Sequence, residues 1–173
     1  MVVSVQEALD HLQMDIKESV VRRKIKAVER LVREETQNNF QNRQMRFYAA
    51  SSGGFLTGSS PYLQLGDTVE INDSINAGLY TVEEITDDTV RLDKVLYDAA
   101  RNMVTKVVYP EDVQEGVLNM LQWDFTMRSK TGIKSETLSR HSVTYYDMDH
   151  ANSLDGYPAS LVGFLEPYRQ MRW

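Results

Sequence analysis

The chain has 173 residues, of which 42% are hydrophobic and 25% are charged, a composition typical of one globular domain or of a core with a small insert. It contains no cysteine, which excludes disulfides, thiolate metal sites and cysteine nucleophiles. The first residues do not have the pattern of a signal peptide, and no apolar run approaches the ~20 residues of a membrane span. We therefore expect a soluble protein that is made in a cytoplasm.

The net charge of −6 is unevenly distributed along the chain. Residues 1–44 carry eight Lys/Arg and seven Asp/Glu (+1), residues 45–110 carry five and nine (−4), and residues 111–173 carry six and nine (−3). A protein that grips duplex DNA by its phosphates needs a clustered positive face, which this balance disfavours. An acidic surface is still compatible with DNA passing nearby, because it repels the phosphate backbone.

Two helices are predicted in the first segment. Ser4 and Glu7 form a capping box that opens a helix of about three turns. Apolar residues then recur at helical spacing from about Asp15 to Asn38. Between them lie six cations: Arg22, Arg23, Lys24, Lys26, Arg30 and Arg33. Acidic residues at helical spacing favour a solvated face for this helix, and a face that binds nucleic acid is the alternative.

The composition changes at about residue 45, after a polar stretch, 37–44, that is predicted to be a helix end and linker. Period-two patterns predict short strands over 66–71, 78–85, 89–92 and 104–109. The inward residues would be Val69, Ile71, Val90 and Leu92. Four or five short strands with intervening turns are typical of a small closed sheet such as an SH3-like barrel. We expect this module, 45–110, to be an insertion into a helical protein.

Helical patterns resume at Pro110, whose missing N–H is tolerated where a helix begins. The third predicted helix is apolar around much of its circumference and should lie at the centre of a bundle, with Gly116 allowing close packing. It is expected to end near Gly132. A fourth, short helix is predicted from Ala159 to Leu165, and Pro167 separates it from a C-terminal tail.

The stretch between the last two helices, 131–146, is polar and rich in hydroxyl groups. Its end alternates in the manner of a strand, with Val143 and Tyr145 on one side and Ser142, Thr144 and Tyr146 on the other. Such a segment is either an arm that adds a strand to a neighbouring sheet or an ordinary surface hairpin.

The tail, 166–173, combines aromatic and basic residues, the types enriched at binding hot spots. We expect it to be mobile in the free protein and to become ordered against a partner. The alternative is a tail that folds back onto its own helices beside Trp123.

The sequence predicts no catalytic residue, no cofactor and no metal site. Asp147, Asp149 and His150 lie too close together in one loop to converge on one ion. His141 and Ser142 are adjacent on a predicted strand and face opposite ways, so they do not form a nucleophile–base pair. Nothing therefore points to an enzyme.

Two segments carry a resemblance to a known family: GIKSETLSRHSVTY (132–145) and GYPASLVGFLEPYR (156–169). In this order they resemble the C-terminal half of the head–tail connector, or adaptor, proteins of tailed bacteriophages. The resemblance covers residues 1–44 and 111–173, and the middle is similar only to connectors that carry an inserted β-module. It implies an α+β protein: a bundle of about four helices with a barrel-like insert and an extended polar arm.

The resemblance also implies a structural role in the virion, at the interface between head and tail. Connectors of this family form a ring of twelve copies on the portal, extend the DNA channel and dock the next neck or tail-completion protein. DNA would pass through without specific binding. The implied inter-subunit arm contains Ile133, Lys134, Ser135, Glu136, Arg140, His141, Val143 and Tyr145. The implied portal-docking tail contains Tyr168, Arg169, Met171, Arg172 and Trp173. The alternative function is a nucleic-acid-binding regulator that uses helix 15–38 and the β-module.

Overall fold

A computed structural model describes residues 1–58, 61–128 and 153–171, together with the backbone of strands 135–138 and 141–144. Its described part combines four α-helices with a closed, six-stranded antiparallel β-barrel, as expected for an α+β protein. The helices are α1 (Val5–Leu12), α2 (Glu18–Thr36), α3 (Glu111–Thr126) and α4 (Ala159–Val162), and α4 continues as a 3-10 helix (Gly163–Tyr168). The barrel strands are β1 (Gln41–Ser52), β2 (Phe55–Thr57), β3 (Thr68–Asn72), β4 (Gly78–Ile85), β5 (Thr89–Leu92) and β6 (Ala99–Val107). Two short pairs follow: β7 (Ser135–Leu138) with β8 (His141–Thr144), and β9 (Ser153–Leu154) with β10 (Tyr157–Pro158).

Local sequence explains where the helices begin. At α1 the Ser4 hydroxyl accepts the backbone N–H of Glu7 at 3.1 Å, and the Glu7 carboxylate accepts the N–H of Ser4 at 3.4 Å. The predicted capping box is therefore confirmed. Pro110 precedes α3, and Glu111 and Asp112 occupy its first turn, where the positive end of the helix dipole favours acids.

The helices bury one apolar core that draws on both ends of the chain. Its fully or nearly fully buried members from the helices include Val21, Ile25, Val28, Val32, Val113, Val117, Met120 and Leu121. The description as a bundle of four helices is only partly correct, because α4 is a single turn that continues as the 3-10 helix. Pro167 lies inside that 3-10 helix rather than ending the structure before it.

Gly116 allows the closest packing in the helical core. A Cβ atom placed on Gly116 would lie 2.4 Å from two carbons of the Phe164 ring, a distance at which something must move. The absence of a side chain on α3 thus lets the 3-10 helix approach, which agrees with the prediction for this residue.

The barrel has the strand order β1-β2-β5-β4-β3-β6, and β6 closes onto β1. Two strands predicted from alternation, β4 and β5, have the expected limits, and Val69, Ile71, Val90 and Leu92 are buried. The barrel starts at Gln41, within the stretch expected to be a linker, and has six strands rather than four or five. The first half of β1 was not predicted. Most of its side chains are polar and partly or fully exposed, so its sequence shows no apolar alternation.

One end of the barrel is held by a buried polar network. The Asn76 side-chain amide donates to Ser51 Oγ (3.1 Å), Tyr97 O (2.9 Å) and Asn102 Oδ1 (3.0 Å). The Asn102 amide donates in turn to Ala49 O and to Ser51 Oγ, both at 3.1 Å. Every polar group in this network has a partner, as buried polar groups require, so it fixes the loops after β3 and β5 against β1 and β6.

Helices and barrel meet along α2. Arg33 Nη2 lies 2.8 Å from Glu70 Oε2 on β3, and Lys26 Nζ lies 2.9 Å from Asp93 Oδ2 after β5. At the two points where the chain crosses between the regions, Val108 N donates to Phe40 O at 2.9 Å. The chain therefore enters and leaves the barrel at neighbouring positions, as an inserted module does.

Candidate interaction surfaces

The predicted arm contains an antiparallel hairpin. Ser135 pairs with Thr144 and Leu138 with His141, so the alternative of a hairpin describes its local structure. This two-stranded sheet is separate from the barrel, and none of the other described strands pairs with either of its outer edges. Unpaired edges of this kind are templates for a strand from another chain. Four of the predicted arm residues lie in β7 or β8: Ser135, Glu136, His141 and Val143. The remaining four lie outside the described residues: Ile133, Lys134, Arg140 and Tyr145.

The predicted tail is docked on its own helices as far as Gln170. The Tyr168 hydroxyl donates to the Asp112 carboxylate at 2.8 Å, and its ring centroid lies 5.8 Å from that of Phe40. Arg169 pairs with Glu35 and, at 2.8 Å, with Glu166. The backbone N–H of Gln170 donates to Thr36 O at 2.8 Å. This part of the tail is not free in the isolated chain, contrary to expectation.

The rest of the tail is less constrained or not described. Met171 is 82% exposed, and Arg172 and Trp173 lie outside the described residues. The docked part agrees with the alternative of a tail that folds back onto its own helices. Its described contacts are with Asp112, Glu35 and Thr36, whereas the ring of Trp123 packs against Tyr157, with centroids 5.4 Å apart.

The cations of α2 mostly form ion pairs across the molecule. Lys24, Lys26 and Arg33 pair with Asp124, Asp93 and Glu70 respectively. Arg30 is the one cation of the six that pairs at helical spacing, with Glu34. Within the described residues, only Arg22 and Arg23 of the six form no ion pair. The solvated-face interpretation is therefore correct only in part, because three of the cations are held by acids of the barrel and α3, and the pair of Arg33 with Glu70 is largely buried.

Asp124 on α3 is the most buried carboxylate in these ion pairs, with 1% of its side chain exposed. Its carboxylate accepts from Lys24 (3.2 Å), Arg128 (2.6 Å) and the Tyr157 hydroxyl (2.7 Å). Burial alone would raise the pKa of Asp124, but these three donors outweigh it and hold the pKa below its usual range. The same carboxylate and burial raise the pKa of Tyr157. The cluster joins α2, α3 and the strand β10, and its role is to hold them together.

A cleft of about 460 Å³ lies between α2 and the barrel. Two ion pairs lie among its lining residues, Lys26 with Asp93 and Arg30 with Glu34. Glu29 also lines the cleft, and its buried carboxylate accepts from the Tyr109 hydroxyl at 2.9 Å; burial together with this carboxylate raises the pKa of Tyr109. The cleft therefore has the character of a structural interface.

Within the described residues, no three His, Cys, Asp or Glu side chains are placed to share a metal ion. Asp147, Asp149 and His150 lie outside those residues. Among the described helices, none is both long enough and apolar enough to cross a lipid bilayer.

One surface feature was missed by sequence analysis. Arg46 and Arg101 are far apart in sequence, but the pairing of β1 with β6 brings them to one outer face of the barrel around Tyr48. The grouping depends on the register of the two strands, so no local sequence pattern predicts it.

Comparison with known proteins does not place the chain in a family. No family model matches it, and no curated protein is significantly similar to it.

Proposed function

We propose that the protein is a head–tail connector of a tailed bacteriophage. It would assemble as a ring on the portal, extend the DNA channel and offer a docking surface to the next neck or tail-completion protein. The observation that carries the proposal is the β7–β8 hairpin: a two-stranded sheet, apart from the barrel, in the segment that resembles the connector family. A paired edge between copies is the kind of contact that such a hairpin supplies.

The helical core supports the same proposal. It brings the N-terminal helices and the C-terminal segments, the two parts that resemble connectors, into one apolar cluster. The docked tail places Tyr168 and Arg169 on the outside of this cluster, next to Asp112 and Glu35. We propose that the portal contacts this side and that Met171, Arg172 and Trp173 take part in the contact. In this form of the proposal the docked residues of the tail are already in place before the portal binds.

The alternative, a nucleic-acid-binding regulator, would rely on the cations of α2. Four of these six cations are already in ion pairs, which reduces the charge that is free to neutralise phosphates. A regulator of this type requires DNA affinity that falls steeply with salt concentration, and a connector does not. A salt titration of DNA binding therefore distinguishes the two.

The connector proposal is tested by mixing the purified protein with the portal protein from the same genome and examining the complex by electron microscopy. We expect an additional ring of density on one face of the portal. Replacing 133–146 with a Gly/Ser linker should leave the helices and barrel folded, as measured by circular dichroism, and abolish the ring. A folded linker variant that still forms the ring would show that the hairpin is not the joining element.

A further inference from the structure

The outer face of the barrel at β1 and β6 carries uncompensated positive charge. Arg101 stacks its guanidinium over the ring of Tyr48 at 3.8 Å, and Tyr48 is 55% exposed. Arg46 donates to Thr105 Oγ1 (2.9 Å) and to Gln41 Oε1 (3.0 Å). These are neutral acceptors, so the charge of Arg46 is left without an opposite charge.

The strand register places these residues on one side of the sheet. Arg46 pairs with Thr105 and Tyr48 with Met103, so Arg46 and Tyr48 of β1 share a face with Arg101, Met103 and Thr105 of β6. Among the described residues, no carboxylate forms an ion pair with Arg46 or Arg101. We name Arg46, Tyr48 and Arg101 the arginine face.

The opposite side of the barrel is acidic. In the closed order β1-β2-β5-β4-β3-β6, the β4–β5 pair is separated from the β1–β6 pair by one strand in each direction, so the two pairs are diametrically opposed. Glu83 and Glu84 are exposed at a bulge in β4, and Asp88 is exposed in the turn before β5. Arg91 is shared between the two glutamates, at 3.7 and 3.1 Å. Arg91 is thus the one arginine shared by two of these acids, and this acidic face keeps an excess of negative charge.

The helices leave both faces uncovered. The ion pairs between α2 and the barrel involve Glu70 on β3 and Asp93, which follows β5 at the strand end away from Glu84 and Asp88. One copy of the chain therefore presents a positive face on one flank and a negative face on the other.

We propose that these faces bind each other between neighbouring copies, the arginine face of one barrel against the acidic face of the next. Contacts between two different faces of identical subunits are heterologous, and they produce closed rings when the rotation between copies closes. Tyr and Arg are enriched at the centres of protein interfaces, which suits the arginine face to this use. The inference rests on the proposed ring and deepens it: the inserted barrel would form a second belt of contacts, beside that of the hairpins.

Because the chain has no cysteine, the contact can be trapped with introduced ones. A Met103→Cys, Glu83→Cys variant carries one thiol on each face, on opposite sides of its own barrel, since Met103 pairs with Tyr48. Under mild oxidation of the concentrated protein at low salt we expect a ladder of covalent oligomers beyond the dimer. Each single-cysteine variant should form no disulfide-linked dimer, because in the proposed contact neither face meets an identical face. No ladder, or a disulfide-linked dimer from Met103→Cys alone, would overturn the proposal.

Charge reversal supplies the matched control. In the double-cysteine background, Arg46→Glu with Arg101→Glu should reduce the ladder at least tenfold. Adding Glu84→Arg and Asp88→Arg should restore it, because both faces are then reversed. If the reversed variant instead loses a salt-dependent affinity of the wild-type protein for single-stranded DNA while its ladder persists, the arginine face is a nucleic-acid site and the proposal is wrong. Portal binding is measured separately on the same variants. A portal ring without a ladder refutes this inference alone, and absence of any portal ring refutes the proposed function.

Discussion

The two apolar cores of the molecule are built from the chain in different ways. The helical core combines residues from both ends of the chain, from Val2 to Leu165, whereas the barrel core lies wholly between Ala49 and Val104. The barrel therefore contains its own long-range pairings, and the helical core cannot form until the chain returns from the barrel. The comparison indicates that the barrel is an accessory to a helical protein and not a platform for it.

The helical core includes residues at the first and last strands of the barrel, so the boundary between the two cores does not coincide with the ends of β1 and β6. Phe40 precedes β1, and Val107 and Tyr109 lie at the end of β6 or just after it, yet all three belong to the helical core. Phe40 and Tyr109 rings lie 4.9 Å apart. Phe40 and Tyr109, where the chain enters and leaves the barrel, therefore stabilise the helical core.

Removing the barrel is the change from which we expect the largest effect. Residues 42–106 would be replaced by a two-residue Asn-Gly turn, since Gln41 and Val107 are paired neighbours and a turn of this length can join adjacent strands. We expect the shortened protein to retain its helical circular dichroism signal and to unfold cooperatively, with lower stability because Lys26 and Arg33 lose their partners. A shortened protein without a cooperative transition would show that the helical core depends on the barrel.

Asp124 tests how the helical core is held to the C-terminal segment. Because its carboxylate is buried and accepts from three donors, Asp124→Ala should lower the free energy of unfolding by about 1–3 kcal/mol, a range reduced by the partial exposure of Lys24 and Arg128. The control Glu34→Ala, in an exposed pair with Arg30, should leave the melting temperature nearly unchanged.

The effect of Asp124 should depend on pH in a defined direction. A carboxyl group whose pKa is lower in the folded than in the unfolded state stabilises the protein above its unfolded pKa, about 4. That contribution is lost as the pH falls through the folded pKa. The difference in stability between wild type and Asp124→Ala should therefore be full at pH 6 and shrink below about pH 4, as urea unfolding at several pH values would measure. A difference that stays constant down to pH 2 contradicts this assignment.

Gly116 tests the packing between α3 and the 3-10 helix. Gly116→Ala should destabilise by about 1–2 kcal/mol, since overpacking against Phe164 exceeds the gain in helix propensity. Gly163→Ala is the matched control: a Cβ there meets nothing within 4 Å, and its φ of −58° suits alanine. The cost of Gly116→Ala should largely disappear in a Phe164→Ala background, and a cost that persists there would place the strain elsewhere.

The tail should give the smallest effect. Arg169→Ala removes a partly exposed pair with Glu35 and is expected to cost less than about 1 kcal/mol. Deleting 168–173 should cost more, because Phe40 then loses the Tyr168 ring. Equal melting temperatures for the deletion and the wild-type protein would mean that the tail is not docked in solution.

The helices and the central strands were predictable because local patterns specify them. The capping box at Ser4 marks the start of α1, and the alternation through Val90 and Leu92 marks the buried face of β5. The first half of β1 was not predictable, because its ladder partner β6 lies about 60 residues away and supplies the reason for its strand conformation. The docking of the tail was missed for the same reason: Tyr168 and Arg169 are held by Asp112 and Glu35, acids that no local pattern connects to them.

The arm and the tail were selected from sequence as candidate sites, and their different outcomes have physical causes. The two strands of the arm pair with each other in one hairpin, which leaves the outward backbone groups of each strand for neighbours. The arginine face was not predicted because Arg46 and Arg101 come together only when β1 and β6 pair.

The central claim, that copies of this chain form a ring on a portal through the hairpin at 135–144, is tested most directly by cryo-electron microscopy of the protein bound to the portal protein from the same genome. The account predicts a closed ring on one face of the portal, with β7 or β8 of each copy lying against its neighbour. A protein that forms a compact dimer and leaves the portal bare would contradict it.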